Sequence, residues 1–211
     1  VKRGGPALLF ERPRGSRHAL LINQFGTERR MCLAFGVESL DDVAATLEDV
    51  LELQPPQGLV QKVKGLKKLK SIADSMPKTV SKCACQEIVL TGDDVDLDLL
   101  PIQRCWPEDA GRLITIGLVV TRGTRHPRQN VAVYRQQLID RNRMIMRWLP
   151  HRGGALDYAD WQQAHPNRPF PVLVAIGADP ATTLAAVAPV PDTLSEYEFA
   201  GLLRGERTRL W

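Results

Sequence analysis

Hydrophobic and polar positions change period along this chain, and the changes divide it. Ala7 to Glu11 and Ala19 to Phe25 are apolar stretches of strand length on either side of the turn-rich Arg12-Pro-Arg-Gly15, which predicts a hairpin or a paired edge. From Ser39 the period becomes helical: Leu40, Val43, Ala44, Leu47, Val50 and Leu51 share a face, Ser39 and Asp42 stand as an N-terminal capping box, and Pro55-Pro56 ends the helix. A second helical run over 59–73 sets Lys62, Lys64, Lys67, Lys68 and Lys70 between Val60, Val63, Leu66, Leu69 and Ile72, which reads more often as a solvated face than as a basic surface for phospholipid or nucleic acid.

The segment from Ser75 to Ser81, with Pro77 inside it, is the predicted boundary. Beyond it, strand-length segments fall at Cys85–Leu90, Leu113–Thr121, Asn130–Ile139, Met144–Leu149 and Pro171–Ile176, with short helices at Asp157–Ala164, Pro180–Val187 and Ser195–Leu203. These patterns predict an α+β chain: a partial N-terminal α/β region over 1–76 and a sheet-dominated part over 77–211.

Composition narrows the class. At 211 residues, 44% hydrophobic and 25% charged, the chain can bury a core of one large or two small domains. A net charge of +4 spread along the sequence gives little support to nucleic-acid binding. No apolar run reaches the ~18 residues of a membrane span and no leader pattern opens the chain, so a soluble chain, unprocessed at its start, is expected. Cys32, Cys83, Cys85 and Cys105 are too few and too scattered for a disulfide framework, which favours a reducing, cytoplasmic setting. Cys83-Ala-Cys85 lacks the two-residue gap of a zinc knuckle. The start at Val1 and the stop at Trp211, just after a predicted helix without a terminator, suggest a piece of something longer.

The candidate chemistry lies in three places: Asn130-Val-Ala-Val-Tyr-Arg135, Arg147-Trp-Leu-Pro-His151-Arg-Gly-Gly154 and Pro191-Asp-Thr-Leu-Ser-Glu196. An amide, an imidazole and a carboxylate suit a divalent cation completed by phosphate oxygens, and arginines suit the remaining phosphate oxygens. Each element also has a plainer reading. Strand alternation puts Arg135 on the face of Val131 and Val133, where its anionic partner is either a structural acid or a ligand, and it puts Asn130 on the opposite face unless the strand bulges or begins there. Gly153-Gly154 serves a phosphate loop or an ordinary turn, and His151 a ligand or a surface histidine. Thr193 and Glu196 also match a capping box.

Together with Met146–Asp157, Gly177-Ala-Asp-Pro-Ala181, Pro189–Tyr197 and Phe199–Gly205, these motifs closely resemble the UbiD family of decarboxylases, in the form of the bacterial members that act in ubiquinone synthesis. The resemblance implies a split β-barrel of the flavin-reductase-like, FMN-binding type over 77–211, C-terminally truncated, behind the N-terminal α/β region. It implies prenylated FMN and Mn²⁺ or Mg²⁺, with K⁺ as a further ion. Asn130, His151 and Glu196 fall on the metal ligands, and Val133, Tyr134, Arg135, Arg147, Trp148, Leu149, Arg152 and Gly153 on the cofactor contacts. Arg135 also falls on the arginine beside the reacting centre, while the proton-donating acid is expected beyond Trp211 in a Glu-x-x-x-x-Asp/Glu motif, so these residues alone are expected to be inactive or nearly so.

The implied reaction is non-oxidative decarboxylation of an aromatic acid, 4-hydroxy-3-polyprenylbenzoate to 2-polyprenylphenol. The implied partners are the polyprenylated substrate, a flavin prenyltransferase as cofactor source and further copies in a homo-oligomer. The setting is cytoplasmic and peripheral to the inner membrane, with transient surface contact through Lys62–Lys70 and no nucleic acid. The competing class is a non-catalytic basic barrel module that binds RNA or acidic lipid through Lys62–Lys70 and Arg122–Arg128; the 6% aromatic content speaks against stacked bases. An ordinary FMN reductase would need a nicotinamide pocket, for which there is no signal.

Overall fold

A computed structural model describes residues 4–51, 73–125, 128–190 and 194–211. The chain forms two compact units, each made of two separate stretches: residues 1–26 with 85–178, and 27–84 with 179–211.

In the first unit, β1 (Leu8–Phe10) and β2 (Leu20–Ile22) form the predicted antiparallel hairpin, Leu9 opposite Leu21. The remaining strands make two antiparallel three-stranded sheets. One has the order β4 (Leu113–Ile114), β7 (Gln136–Leu138), β8 (Met144–Met146); the other has β6 (Asn130–Val133), β5 (Leu118–Thr121), β9 (Leu173–Ala175). Among the described residues the strands of the chain form several small sheets and no closed barrel.

Two segments expected as single strands are each divided. Leu113–Thr121 breaks before Gly117, where a Cβ would lie 2.5 Å from Gln136 Oε1 and 2.9 Å from Ile114 Cγ2. Asn130–Ile139 breaks at Tyr134–Arg135, and its halves join different sheets, β6 pairing with β5 and β7 with β4 and β8. Alternation cannot run through such a break, so the face shared by Val131, Val133 and Arg135 does not exist: Val131 is buried and Arg135 exposed. The core of these sheets is Ile114, Leu118, Val119, Val131, Tyr134 and Leu138.

The expected strand over Cys85–Leu90 is also absent. Ala84–Gln86 is a single 3₁₀ turn, and the apolar residues behind it face solvent, Ile88 being 80% exposed. Apolar character without a partner edge does not make a strand. The Cys83-Ala-Cys85 pair sits at this turn rather than on a strand.

The second unit is largely helical. α1 (Glu28–Phe35), which the periodicity did not suggest, has local signals: the Thr27 side chain accepts from Arg30 N at 3.3 Å, and Gly36 closes the helix with φ 69°. α2 (Leu40–Leu51) carries the expected cap, Ser39 N donating to Asp42 Oδ2 at 3.1 Å. α4 (Pro180–Ala185) and α5 (Glu196–Arg204) pack on each other, on α1 and on α2 respectively, around Ala185, Leu194, Phe199 and Ala200. Burying a side chain the size of Phe199 contributes about 1.5–3 kcal/mol. A short parallel pair, β3 (Lys78–Thr79) with β10 (Arg209–Leu210), ends the unit. The lysine-rich run 62–70 lies outside the described residues.

Asp179 caps α4 and receives Arg204 at 2.9 Å on both carboxylate oxygens. Burial pushes its carboxyl up, but hydrogen bonds from Thr182 and the Arg204 guanidinium outweigh that and hold it below the usual carboxylate range.

Gly201 of α5 lies so close to the carbonyl oxygen of Ser75 that a Cβ would overlap it. Helix preference alone favours alanine by about 1 kcal/mol, whereas overpacking against fixed backbone costs about 1–3 kcal/mol. Gly201→Ala should therefore lower the urea midpoint; a midpoint at or above that of the parent would show that the two backbones are not in contact.

Candidate functional site

The first unit gathers most of the candidate residues around the start of one helix. α3 (Gly153–Ala164) begins four residues earlier than expected, at the Gly153-Gly154 pair itself. The pair is therefore the first helical turn and not a free loop, and Arg152 at the N-cap makes no side-chain cap bond. Gly154 N is taken by the Tyr134 hydroxyl and Ala155 N by the Arg152 carbonyl, so what favours an anion there is the positive end of the helix dipole.

Both glycines face side chains at close range. A Cβ on Gly153 would overlap Oδ1 of Asn130, and one on Gly154 would lie 3.1 Å from Trp148 and 3.3 Å from Tyr134. Gly154 N donates to the Tyr134 hydroxyl at 3.0 Å in a buried bond, so the residue at the strand break also fixes the helix start. Trp148 packs edge-on to Tyr134 at 6.1 Å and extends into a ring cluster with Tyr158 and Phe170, to which Trp161 and the stacked His165 are added. The Trp148 indole N–H is buried and has no partner among the described residues. Beside it lies an apolar cavity of about 340 Å³ lined by Met144, Met146, Trp148, Val172 and Val174.

Asn130 is the first residue of β6, one of the two arrangements that lets it escape strict alternation with Arg135. Its Nδ2 donates to Thr121 Oγ1 at 3.0 Å, and Thr121 in turn donates to Asp157 Oδ2 at 2.6 Å. Neither Thr121 nor Asp157 stands out as a site residue in the sequence. The available signal was a threonine closing an apolar strand, with an aspartate one turn into the following helix. One turn further, Asp160 binds the loop before β6, accepting from Thr124 N, from Thr124 Oγ1 at 2.9 Å and from Arg125 N at 2.8 Å.

Arg135, Arg147, Leu149, His151 and Arg152 are exposed, Val133, Trp148 and Gly153 half-buried, and Tyr134 buried. Glu196 belongs to the other unit, as the first residue of α5. The capping role that Thr193 and Glu196 suggest is filled elsewhere. Ser195 accepts from Glu198 N at 3.1 Å while the Glu198 carboxylate accepts from Ser195 N at 2.8 Å, so the box is shifted by two residues and Glu196 is not its acid. Thr193 lies outside the described residues. Glu196 and burial together raise the phenol of Tyr197, burial being the larger cause.

Among the described residues no group of three or more His, Cys, Asp or Glu side chains is placed to hold a metal; the trio of interest contains an amide and is not of that kind. The chemistry present nonetheless fits a phosphorylated cofactor with a divalent cation: an amide oxygen beside the start of a helix, an imidazole two residues before it, and exposed arginines close by in the chain.

The fold is a mixed α/β scaffold of small sheets, with the amide, imidazole and arginine candidates gathered near the start of one helix. Comparison with known families makes this specific. The model of the 3-octaprenyl-4-hydroxybenzoate carboxy-lyase Rift-related domain matches residues 78–211, and that of the N-terminal domain of the same carboxy-lyases matches 1–50, so the chain belongs to the UbiD family. Among solved structures it resembles vanillic acid decarboxylase of Sedimentibacter hydroxybenzoicus in its open form, with 26% identity over 99% of this chain and 39% of that one, TM-score 0.72. It is also similar in fold to the UbiD-class enzyme HmfF of Pelotomaculum thermopropionicum in complex with FMN, with 23% identity, 98% and 42% coverage and TM-score 0.76, and an evolved dimeric form of that enzyme was solved with prFMN. The apo 3,4-dihydroxybenzoic acid decarboxylase AroY of Klebsiella pneumoniae gives 24% identity, 97% and 39% coverage and TM-score 0.74. The chain spans about two fifths of the length of these relatives.

Tyr134→Phe removes the acceptor of the buried Gly154 N–H. An orphaned buried donor costs about 1–3 kcal/mol, so chemical denaturation should show a loss of that size, while Tyr158→Phe, with its side chain 44% exposed, should stay within about 0.5 kcal/mol. Equal losses in the two variants would contradict the clamp.

Proposed function

We propose that this chain carries the flavin- and metal-binding part of a UbiD-type decarboxylase of aromatic acids, with 4-hydroxy-3-polyprenylbenzoate as substrate and 2-polyprenylphenol as product. The observation that carries the reading is the start of α3, where Gly153 leaves room for the Asn130 amide beside the positive end of the helix and exposed arginines. The two three-stranded sheets are read as the halves of a split, FMN-binding barrel that the chain crosses at Tyr134–Arg135, with the evolutionary boundary between an α/β region and this domain at 76/77.

In this reading Asn130, His151 and Glu196 are the ligands of Mn²⁺ or Mg²⁺, with K⁺ as a further ion, and Arg147, Arg152 and the Gly153 backbone hold the cofactor phosphate. Val133, Tyr134, Trp148 and Leu149 supply the remaining contacts to prenylated FMN. When bound, that flavin supplies the sink for the electrons left on the ring as CO₂ departs. Arg135 pairs with the substrate carboxylate, orients it and stabilises its charge until it leaves as neutral CO₂. A carboxylic acid from the rest of the enzyme then protonates the ring carbon.

A flavin prenyltransferase would supply the cofactor, and the whole enzyme is read as a homo-oligomer, cytoplasmic and in transient contact with the membrane surface. The lysines assigned to that contact, like those of a basic RNA- or lipid-binding module, lie outside the described residues. Among the described residues no helix is long and apolar enough to cross a membrane.

Arg135→Lys in the full-length enzyme keeps the charge and loses the planar fork. It should lower kcat about 100-fold or more while the flavin absorbance per protein stays at the parent value. Loss of flavin would make Arg135 a cofactor anchor, and unchanged turnover would remove it from the chemistry.

A further inference from the structure

Thr121 and Asn130 stand directly opposite each other in the β5–β6 register, and Thr121 is 2% exposed. A threonine hydroxyl has one hydrogen to give. Here it goes to Asp157 Oδ2 at 2.6 Å, and an ionised carboxylate can only accept. The lone pairs of Thr121 Oγ1 are left to accept, and the donor at 3.0 Å is the NH₂ of Asn130. The order of donors and acceptors along Asn130, Thr121 and Asp157 thus runs one way only. It fixes which end of the Asn130 amide points inward and leaves Oδ1 on the side of Gly153 and the α3 N-terminus. The neighbouring Asp160 is occupied by Thr124 and Arg125.

We propose that Thr121 and Asp157 are positioning residues that hold the Asn130 amide with its oxygen outward, as a ligand for a hard divalent cation. The inference rests on the reading of Asn130 as a metal ligand. A hard cation takes oxygen and not amide nitrogen, so a freely turning amide would present the wrong end in part of the population, and the carboxylate at the far end polarises the chain toward the oxygen. Gly153 completes the arrangement, because any larger residue would overlap that oxygen.

The test is Mn²⁺ binding to the full-length, flavin-loaded protein, read by the electron paramagnetic resonance of free Mn²⁺ in titrations, a readout independent of turnover. Thr121→Val keeps the shape and removes the hydroxyl. It should weaken Mn²⁺ binding about 10- to 100-fold, the range typical of lost outer-shell partners, and Thr121→Ser should restore binding to near the parent value. Equal affinity in Thr121→Val and the parent, with Asn130→Ala still weakened, overturns the positioning role and leaves Asn130 a ligand. Equal weakening in Thr121→Val and Thr121→Ser overturns it as a packing effect. Unchanged affinity in Asn130→Ala overturns the ligand reading, and the positioning role with it.

Discussion

The bond from Gly154 N to the Tyr134 hydroxyl ties the two features on which the candidate site depends. Tyr134 lies where the chain leaves one sheet for the other, and Gly154 lies in the first turn of the helix that faces those strands. With the hydroxyl as acceptor, the helix start is held against Tyr134 and Trp148, and the absence of side chains at 153 and 154 lets it come that close. At the same break Arg135 is exposed while Tyr134 is buried. One residue therefore seats the start of α3 and marks the break at which Arg135 is exposed.

Polarity is concentrated around this seat. The ring cluster of Trp148, Tyr158, Phe170 and Trp161 forms an apolar body beneath the helix, and its polar edges, Thr121, Asp157 and Asp160, are paired with one another or with the loop before β6. A buried carboxylate without such pairing would be costly, and a half-satisfied network is worse than none. The pairing of Thr121 with Asp157, and of Asp160 with the loop, leaves the Asn130 oxygen and the exposed arginines among the groups able to bind something else.

Much of this was legible in the sequence where local rules act alone. The hairpin of β1 and β2, the Ser39–Asp42 cap and the β8 and β9 segments follow from period and turn residues, and the UbiD resemblance carried in motifs around Asn130, His151 and Glu196 is matched by the family models. The failures have a common cause in tertiary context. Apolar run length cannot reveal that 130–139 serves two sheets, or that 87–90 has no strand to pair with. Gly-Gly reads as a loop because glycine is a poor helix residue, until Asn130 and Trp148 are seen to occupy the space of its side chains. The Ser195–Glu198 box has the same spacing as Thr193 and Glu196, so spacing alone does not choose between them.

The central claim is that Asn130, His151 and Glu196 bind one cation together. The most direct measurement is a crystal structure of the full-length protein with flavin and Mn²⁺, using anomalous scattering at the manganese edge. The account predicts one peak bonded to Asn130 Oδ1, a His151 ring nitrogen and a Glu196 carboxylate oxygen at ~2.0–2.2 Å, with Asn130 Nδ2 still donating to Thr121. A manganese peak that omits Asn130 or Glu196 from its ligands, in a crystal where flavin is bound, would contradict it.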